Sequence, residues 1–186
     1  MLYEVILDKG ETPNKCSVAA LSYRKDFQII RVMGKNRLGP LRSAILLHHE
    51  GQCLTSISKS VSEIAVVDCV WRQLDFLLSR IEAPLPLFAR IPEGFRTAYP
   101  RRSVGDTDPS AGLATIEAIF VASAILGKWD ASLLSDYYFG QKFVEINRNR
   151  FLELGVMQAG DVNSLPVLKH RVRNSVQRRQ DRGRIK

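Results

Sequence analysis

Five short apolar runs alternate with short helical or polar stretches in the first half of the chain. The runs cover residues 2–7, 27–32, 44–48 and 85–89, together with one that begins at Ile64. Between them, residues 17–23 and 71–81 have the spacing of short helices. Strands that alternate with helices are typical of an α/β layer in which the strands pair mainly in parallel. The sequence therefore predicts a five-stranded, largely parallel sheet.

The apolar run that begins at Ile64 ends abruptly in a carboxylate, Asp68, and Trp71 follows three residues later. The run is rich in β-branched residues, which favours a buried strand. In open α/β sheets, ligands bind at the carboxyl ends of the strands. An acid and a large aromatic side chain at that point suggest a site with one polar group and one apolar wall. The structural alternative is that Asp68 only caps the following helix.

The composition changes near Ile91, where a segment rich in Gly and Pro, residues 92–112, predicts a long loop. Three helices are expected after it. The first covers residues 113–126 and ends before Gly127, the second is capped by Asp130 and runs to Tyr138, and the third covers residues 141–154 and ends before Gly155. We therefore expect an α/β domain at residues 1–90, a helical domain at 91–160 and a flexible basic tail at 161–186.

Positive charge is concentrated in that tail. The formal net charge is +8, and residues 168–186 hold eight basic residues and one acid. A basic tail on a nearly neutral body is expected to bind a polyanion, with RNA or DNA as the first candidate and an anionic membrane as the second. The tail has too few apolar residues for a membrane helix. A solvated, solubilising tail is the structural alternative.

Other sequence patterns argue against a membrane-spanning protein, a secreted protein, a disulfide-bonded protein and a metal-binding protein. No stretch approaches the roughly 20 apolar residues that span a bilayer, and we expect no secretory signal at the N-terminus. Cys16, Cys53 and Cys69 form no C-x-x-C pair, so we expect free thiols in a reducing cytoplasm. A glycine-rich phosphate loop is absent, and His48-His49 has no further ligand at metal spacing, so no metal is expected.

Three separated blocks of sequence follow one another along the chain. They are Asn14-Lys15-Cys16-Ser17 with Leu21, then Val67-Asp68-Cys69-Val70-Trp71 with Leu74-Asp75, and then Leu113-Ala114-Thr115-Ile116-Glu117-Ala118 with Tyr138-Phe139-Gly140, Phe143 and Ile146-Asn147-Arg148. In this order they resemble the motifs of the SAM-dependent 18S rRNA aminocarboxypropyltransferases. The chain departs from that pattern at Ala20 and Val70, and its loop over residues 90–112 looks like that of the sister group, the DTW-domain tRNA-uridine aminocarboxypropyltransferases. The chain therefore resembles a divergent member of the wider superfamily.

This resemblance implies both a fold and an activity. The fold would be SPOUT-like, with a parallel five-stranded sheet, a deep knot around the SAM pocket and an all-helical second domain that completes the pocket. The activity would transfer the 3-amino-3-carboxypropyl group of S-adenosylmethionine (SAM) to a uridine or pseudouridine nitrogen of ribosomal RNA, releasing methylthioadenosine. Such an enzyme would be a cytoplasmic monomer that acts in rRNA processing during ribosome biogenesis, without a membrane partner.

The resemblance also implies roles for individual residues. Asp68 would orient or deprotonate the attacking N–H, and Trp71 would shield the sulfonium methyl of SAM. SAM would be bound by Ser17, Val67, Leu85, Ala111 and Thr115. RNA phosphates would be bound by Arg96, Arg101, Arg102, Arg171, Arg173, Arg178 and Arg179. The structural alternatives are a helix cap for Asp68, a core position for Trp71 and an ordinary N-cap for Ser17.

Three other functions fit the same features of the sequence. The first is a tRNA uridine aminocarboxypropyltransferase. The second is a SPOUT-type RNA methyltransferase, which would release S-adenosylhomocysteine in place of methylthioadenosine. The third is a non-catalytic RNA-binding factor of ribosome assembly, which would bind RNA in a salt-sensitive manner and have no affinity for SAM.

Overall fold

A computed structural model describes residues 1–8, 16–33, 36–100, 112–158 and 161. The strands are β1 (Leu2–Asp8), β2 (Phe27–Val32), β3 (Ile45–Cys53), β4 (Glu63–Asp68) and β5 (Leu87–Arg90). The α-helices are α1 (Leu74–Leu78), α2 (Thr115–Ile125) and α3 (Gly140–Glu153). Short 3₁₀ turns cover Ala19–Tyr23, Leu54–Ser56, Trp71–Gln73 and Ala131–Leu134.

The five strands form one sheet in the order β2-β1-β4-β3-β5, and every pairing in it is parallel. The predicted five-stranded parallel sheet is therefore confirmed. Strand β3 is longer than the predicted run, because it resumes pairing with β5 at Gln52 after a break that follows Leu47. All five strands end at the same edge of the sheet, as parallel pairing requires.

The two faces of the sheet bury alternate residues of the strands, as the twofold repeat of a strand demands. On one face, Tyr3, Val5, Ile64 and Val66 belong to a large apolar cluster that includes α2. On the other face, the next residues along the same strands, including Ile6 and Ala65, contact Leu77 and Leu78 of α1 or its neighbours. The protein thus has helices on both faces of the sheet, which is the α/β architecture that the sequence predicts.

Helix α2 is the central helix of the larger cluster, since nine of its eleven residues are buried. A helix that is apolar on all sides is expected to lie inside a protein rather than on its surface. Gly127 follows it with a φ of +87°, which is a conformation that favours glycine, and so confirms the predicted stop.

One predicted helix is wrong in length. Asp130 caps its segment as expected, because its side chain accepts a hydrogen bond from the Ser132 N–H at 3.0 Å. The segment that follows is only the 3₁₀ turn Ala131–Leu134 and does not continue as a helix to Tyr138. The backbone hydrogen bonds of this turn join residues three positions apart in the chain. Helix α3 then begins at Gly140, which packs so closely against Leu134 that a Cβ added to Gly140 would lie 2.9 Å from the Leu134 Cβ. This close approach requires the chain to turn there.

Residues of the two predicted domains share one hydrophobic cluster. It contains strand residues such as Val5 and Ile45 together with Phe120 of α2 and Phe143 and Phe151 of α3. The division at residues 90 and 160 stays a prediction, and the tail at 161–186 lies outside the described residues except for Asp161. Among the described residues, no helix has the length and apolar character needed to cross a membrane.

Candidate functional site

A cavity of about 970 Å³ lies where the carboxyl ends of β3, β4 and β5 meet the N-terminus of α2. Its wall includes His49, Asp68, Trp71, Arg90, Tyr99 and Thr115. This is the edge of an open parallel sheet at which ligands bind. The volume is at the upper end of the roughly 300–1,000 Å³ typical of small-molecule sites, so the cavity can hold a ligand of nucleoside size or larger.

Asp68, the last residue of β4, is held by two donors from distant parts of the chain. Its Oδ1 accepts a hydrogen bond from the Thr115 hydroxyl at 2.6 Å, and its Oδ2 accepts one from the Cys16 thiol at 3.0 Å. The N-cap positions of the following turn and of α1 are Val70 and Gln73, and neither side chain makes a capping hydrogen bond. The interpretation of Asp68 as a helix cap is therefore wrong. A carboxylate has about four acceptor positions, so two donors leave it capacity to bind a ligand.

The Cys16 thiol is a hydrogen-bond donor to Asp68 rather than a nucleophile. Burial raises the pKa of Cys16 to about 12, and the Asp68 charge and hydrogen bond add to that rise. Cys16 therefore stays protonated at neutral pH, whereas a reactive cysteine needs a lowered pKa. Cys16, Cys53 and Cys69 all lie in the described part of the chain, and none of them forms a disulfide.

Ser17 connects the N-terminal segment to the first turn of α2. Its hydroxyl oxygen accepts a hydrogen bond from the Ile116 N–H at 3.2 Å. The 3₁₀ turn that follows Ser17 has Val18 at its N-cap position, with no side-chain cap. Ser17 is thus not the ordinary N-cap of its own helix; it satisfies one of the N–H groups that a helix N-terminus leaves without an internal partner. This contact fixes Ser17 and Thr115 on the same wall of the cavity.

Glu117 holds the same helix end from the inner side and was not predicted as a site residue. It is fully buried, and its two oxygens accept hydrogen bonds from four donors. The donors are the Thr97 hydroxyl at 2.6 Å, the Ala98 N–H at 2.9 Å, the Ala114 N–H at 2.8 Å and the Tyr137 hydroxyl at 2.9 Å. Glu117 therefore attaches residues 97–98 to α2. The signal available in the sequence was a single acid inside an otherwise apolar helix.

Trp71 lies in the cavity wall and not in the core. It begins the 3₁₀ turn after β4 and is partly exposed. Its ring meets the edge of the His49 ring, with centroids 5.4 Å apart and an interplanar angle of 73°. The alternative of a core tryptophan is therefore wrong for Trp71. The other tryptophan, Trp129, is partly buried and packs against the core through Phe120 and Phe151.

The structure brings five of the predicted site residues together around the cavity: Ser17, Val67, Asp68, Trp71 and Thr115. Leu85 is not among them. It precedes β5, at the opposite edge of the sheet from the cavity, and is 40% exposed. Parallel strands put only their carboxyl ends at the site, and Leu85 lies at an amino end, so its assignment to SAM binding is not supported by its position.

The predicted RNA-binding residues are mostly outside the described part of the chain. This applies to Arg101, Arg102, Arg171, Arg173, Arg178 and Arg179, and also to the proposed SAM contact Ala111. Arg96 is described and exposed, but it does not line the cavity. Its backbone N–H donates to the Asn147 side chain at 2.7 Å, which fixes its position beside α3.

His48 and His49 also line the cavity, which the sequence analysis missed. The ligand atoms of His48, His49 and Glu50 lie within 4.8 Å of one another, so the neighbouring Glu50 supplies the third possible metal ligand that the sequence analysis did not count. Burial and the neighbouring His49 lower the pKa of His48. This shift favours the neutral form of the His48 imidazole.

The comparisons with known proteins agree with this geometry at the level of the fold. No protein-family model matches the sequence, and no curated protein matches it either. Among solved structures, the chain is similar to the SAM-dependent rRNA:acp-transferase Tsr3 from Vulcanisaeta distributa, with a TM-score of 0.57 and 20% sequence identity over 88% of this chain and 86% of that one. The resemblance seen in the sequence is thus confirmed as a shared fold.

Proposed function

We propose that this protein transfers the 3-amino-3-carboxypropyl group of SAM to a uridine or pseudouridine nitrogen of ribosomal RNA. The observation that carries the proposal is the convergence of Ser17, Asp68, Trp71 and Thr115 on one cavity. The fold in which they converge is shared with a SAM-dependent rRNA:acp-transferase. SAM is a substrate in this reaction, and methylthioadenosine is the second product.

The reaction is a displacement at carbon. The base nitrogen attacks the γ-carbon of the methionine part of SAM, the bond from that carbon to sulfur breaks, and its electron pair stays on the sulfur of methylthioadenosine. The nitrogen loses its proton. Asp68 is the acceptor or orienting group for that proton, because its carboxylate lies at the cavity wall beside Thr115 and Cys16 and keeps acceptor capacity beyond these two donors.

Trp71 selects which carbon of the sulfonium is attacked. An aromatic wall against the methyl group leaves the γ-carbon open, and correct orientation of the reacting atoms is itself a large part of catalysis. A cation beside an aromatic face also gains about 0.5–2 kcal/mol. The partial exposure of Trp71 in the cavity wall supports this role.

The methionine carboxylate of SAM is expected at the N-terminus of α2. Helix N-termini favour anions, and the segment 112–115 at this end of α2 lines the cavity. Ser17 and Thr115 hold this end in place, and Val67 contributes to the apolar wall. We leave Leu85 out of the SAM site because of its position at the other edge of the sheet.

RNA is the proposed partner, with the small-subunit rRNA or its precursor as the preferred substrate. The support is the net charge of +8, most of it in the tail. We further propose the knotted SPOUT-like topology, a helical domain at residues 91–160, a cytoplasmic location and a monomeric state. These proposals follow from the likeness to the known rRNA:acp-transferase fold.

The test is to incubate the full chain with SAM and either small-subunit rRNA or tRNA, and to identify both products by mass spectrometry. We expect methylthioadenosine and an aminocarboxypropyl adduct on rRNA. The adduct on tRNA alone would indicate the tRNA enzyme, and S-adenosylhomocysteine with a methylated RNA would indicate a methyltransferase. RNA binding without SAM binding in calorimetry would leave only the assembly-factor function.

A pair of variants tests whether the cavity is the SAM site. Trp71→Ala is expected to weaken SAM binding in calorimetry, whereas Phe76→Ala is expected to leave it unchanged. Phe76 is an exposed aromatic residue on α1 and does not line the cavity. Equal effects of the two substitutions would contradict the assignment of the cavity.

A further inference from the structure

Strand β3 contains an insertion that changes where its side chains point. Leu47 and Gln52 both pair with Ala89 of β5, so residues 48–51 have no partners in the ladder. In a regular strand, adjacent residues point to opposite faces of the sheet. Here the rings of His48 and His49 lie with their centroids 4.4 Å apart and 33° between their planes. The bulge therefore brings both rings to the same side, which is a known use of bulges beside functional sites.

Gly51 makes this bulge possible. A Cβ built on Gly51 would overlap the backbone of Phe88 and Ala89 in β5. The insertion can therefore lie against β5 only if this position has no side chain. The orientation of His49 is thus determined by the backbone and does not depend on a surface loop.

Four rings form a continuous row from β5 to the cavity, which we call the aromatic row: Phe88, His48, His49 and Trp71. The His48 ring stacks on Phe88 with centroids 4.6 Å apart, lies tilted against His49 at 4.4 Å, and the His49 ring meets Trp71 at 5.4 Å. His48 is buried and Phe88 and Trp71 are partly buried, whereas the His49 side chain is 52% exposed. The row supports the Trp71 ring from the side of β3.

We propose that His49 is a positioning residue that holds Trp71 in the orientation that shields the SAM methyl, and so determines which carbon is transferred. This inference rests on the proposed function. If the support is lost, the base nitrogen can attack the methyl carbon instead. The bond from methyl to sulfur then breaks, its electron pair stays on sulfur, S-adenosylhomocysteine leaves, the nitrogen releases its proton to solvent and the base gains a methyl group.

The first test compares the products of His49→Ala and His49→Phe, with Gln52→Ala as a control on the same strand. The buffer contains EDTA, so that no metal bound by residues 48–50 contributes. We expect the ratio of S-adenosylhomocysteine to methylthioadenosine to rise about 2- to 12-fold in His49→Ala. Loss of one aromatic pair changes the population of the shielding Trp71 orientation by about this factor. His49→Phe retains a ring and should keep the wild-type ratio, as should Gln52→Ala. An unchanged ratio in His49→Ala overturns the proposal.

The second test does not depend on catalysis. Trp71 and Trp129 are the two tryptophans of the chain, so Trp129→Phe leaves Trp71 as the sole reporter. In that background, acrylamide should quench Trp71 fluorescence at least about twofold more efficiently after His49→Ala, and His49→Phe should restore the original value. Equal quenching in all three proteins overturns the positioning role. A wild-type protein that releases no methylthioadenosine refutes the proposed function instead, and the quenching experiment still decides whether His49 holds Trp71.

Discussion

Two carboxylates contact the N-terminus of α2, and they differ in how completely they are satisfied. Glu117 is fully buried, and four donors from three segments of the chain occupy it. Asp68 is partly exposed at the cavity and, among the residues that the structure describes, accepts from two donors. A carboxylate whose acceptor positions are filled by the protein can only hold structure together. The one with unused positions at a cavity wall can interact with a ligand, so the helix end separates a structural acid from a candidate reactive acid.

The contrast between a structural Glu117 and a reactive Asp68 is tested most strongly by substituting Glu117. Glu117→Ala leaves the buried donors of Ala98, Ala114 and Tyr137 without an acceptor, and each such group costs about 1–3 kcal/mol. We expect the free energy of unfolding in urea to fall by about 3–5 kcal/mol. Glu145→Ala, an exposed acid on α3, should change it by less than about 0.5 kcal/mol. A loss at Glu117 as small as at Glu145 would contradict the structural role.

Asp68 should show the opposite behaviour. Asp68→Asn keeps an acceptor for Thr115 and removes the charge, so kcat for methylthioadenosine release should fall about 10²–10⁴-fold, the usual contribution of a positioned acid or base. The free energy of unfolding should change by less than about 1.5 kcal/mol, the worth of an ordinary hydrogen bond. Product chromatography and urea denaturation on the same protein provide both values. Asp75→Asn, an exposed acid on α1, is the matched control. Loss of stability without loss of rate would make Asp68 a second structural acid.

Gly51 is the intermediate case, since it packs against the backbone of β5 and belongs to the bulge that carries two residues of the cavity wall, His48 and His49. Gly51→Ala places a methyl group against the β5 backbone and should cost about 1–3 kcal/mol of unfolding free energy. It should also move the aromatic row and so reduce SAM binding. Gly39→Ala is the control, because a Cβ there meets nothing within 4 Å. If both substitutions have the same small effect, the bulge tolerates a side chain and the row is not determined by the backbone.

The sequence predicts the sheet better than it predicts the site. Strand β2 was predicted with its observed bounds, because its apolar run and its polar flanks depend on local pattern alone. The contacts of Asp68 with Cys16 and Thr115 join residues 52 and 47 positions apart in the chain. No periodicity encodes such a contact: the end of the apolar run indicated Asp68, but only a resemblance to a family pointed to Thr115.

The features that the sequence analysis did not predict likewise depend on contacts between residues that are distant in the chain. Residues 48–51 read as the end of one strand and the beginning of a polar stretch, because the insertion is defined by pairing with β5 and not by local composition. The helix predicted up to Tyr138 is only the 3₁₀ turn Ala131–Leu134, and the chain after it brings Gly140 back against Leu134, a contact that the local pattern does not show. Glu117 resembled a defect in an apolar helix until its four donors, three of them 19 or 20 residues away, were known.

The smallest expected effect concerns Cys16, which reports on the charge of Asp68. Its pKa is raised to about 12 by burial and by Asp68, whereas a hydrogen bond from Thr55 lowers the pKa of Cys53. At pH 8, iodoacetamide should therefore label Cys53 well before Cys16, as peptide mass spectrometry can measure. Asp68→Asn should accelerate labelling of Cys16 and leave Cys53 unchanged.

The same group gives a pH dependence of stability with a definite sign. The pKa of Cys16 is higher in the folded protein than its ordinary value of 9.0, so the folded state holds this proton more tightly. The corresponding stabilisation is complete below about pH 9 and is lost as the pH rises towards 12. Urea denaturation between these pH values should show a decline that is smaller in Cys16→Ala. A decline of equal size in that variant would mean that other groups cause it and that Asp68 does not hold a protonated thiol.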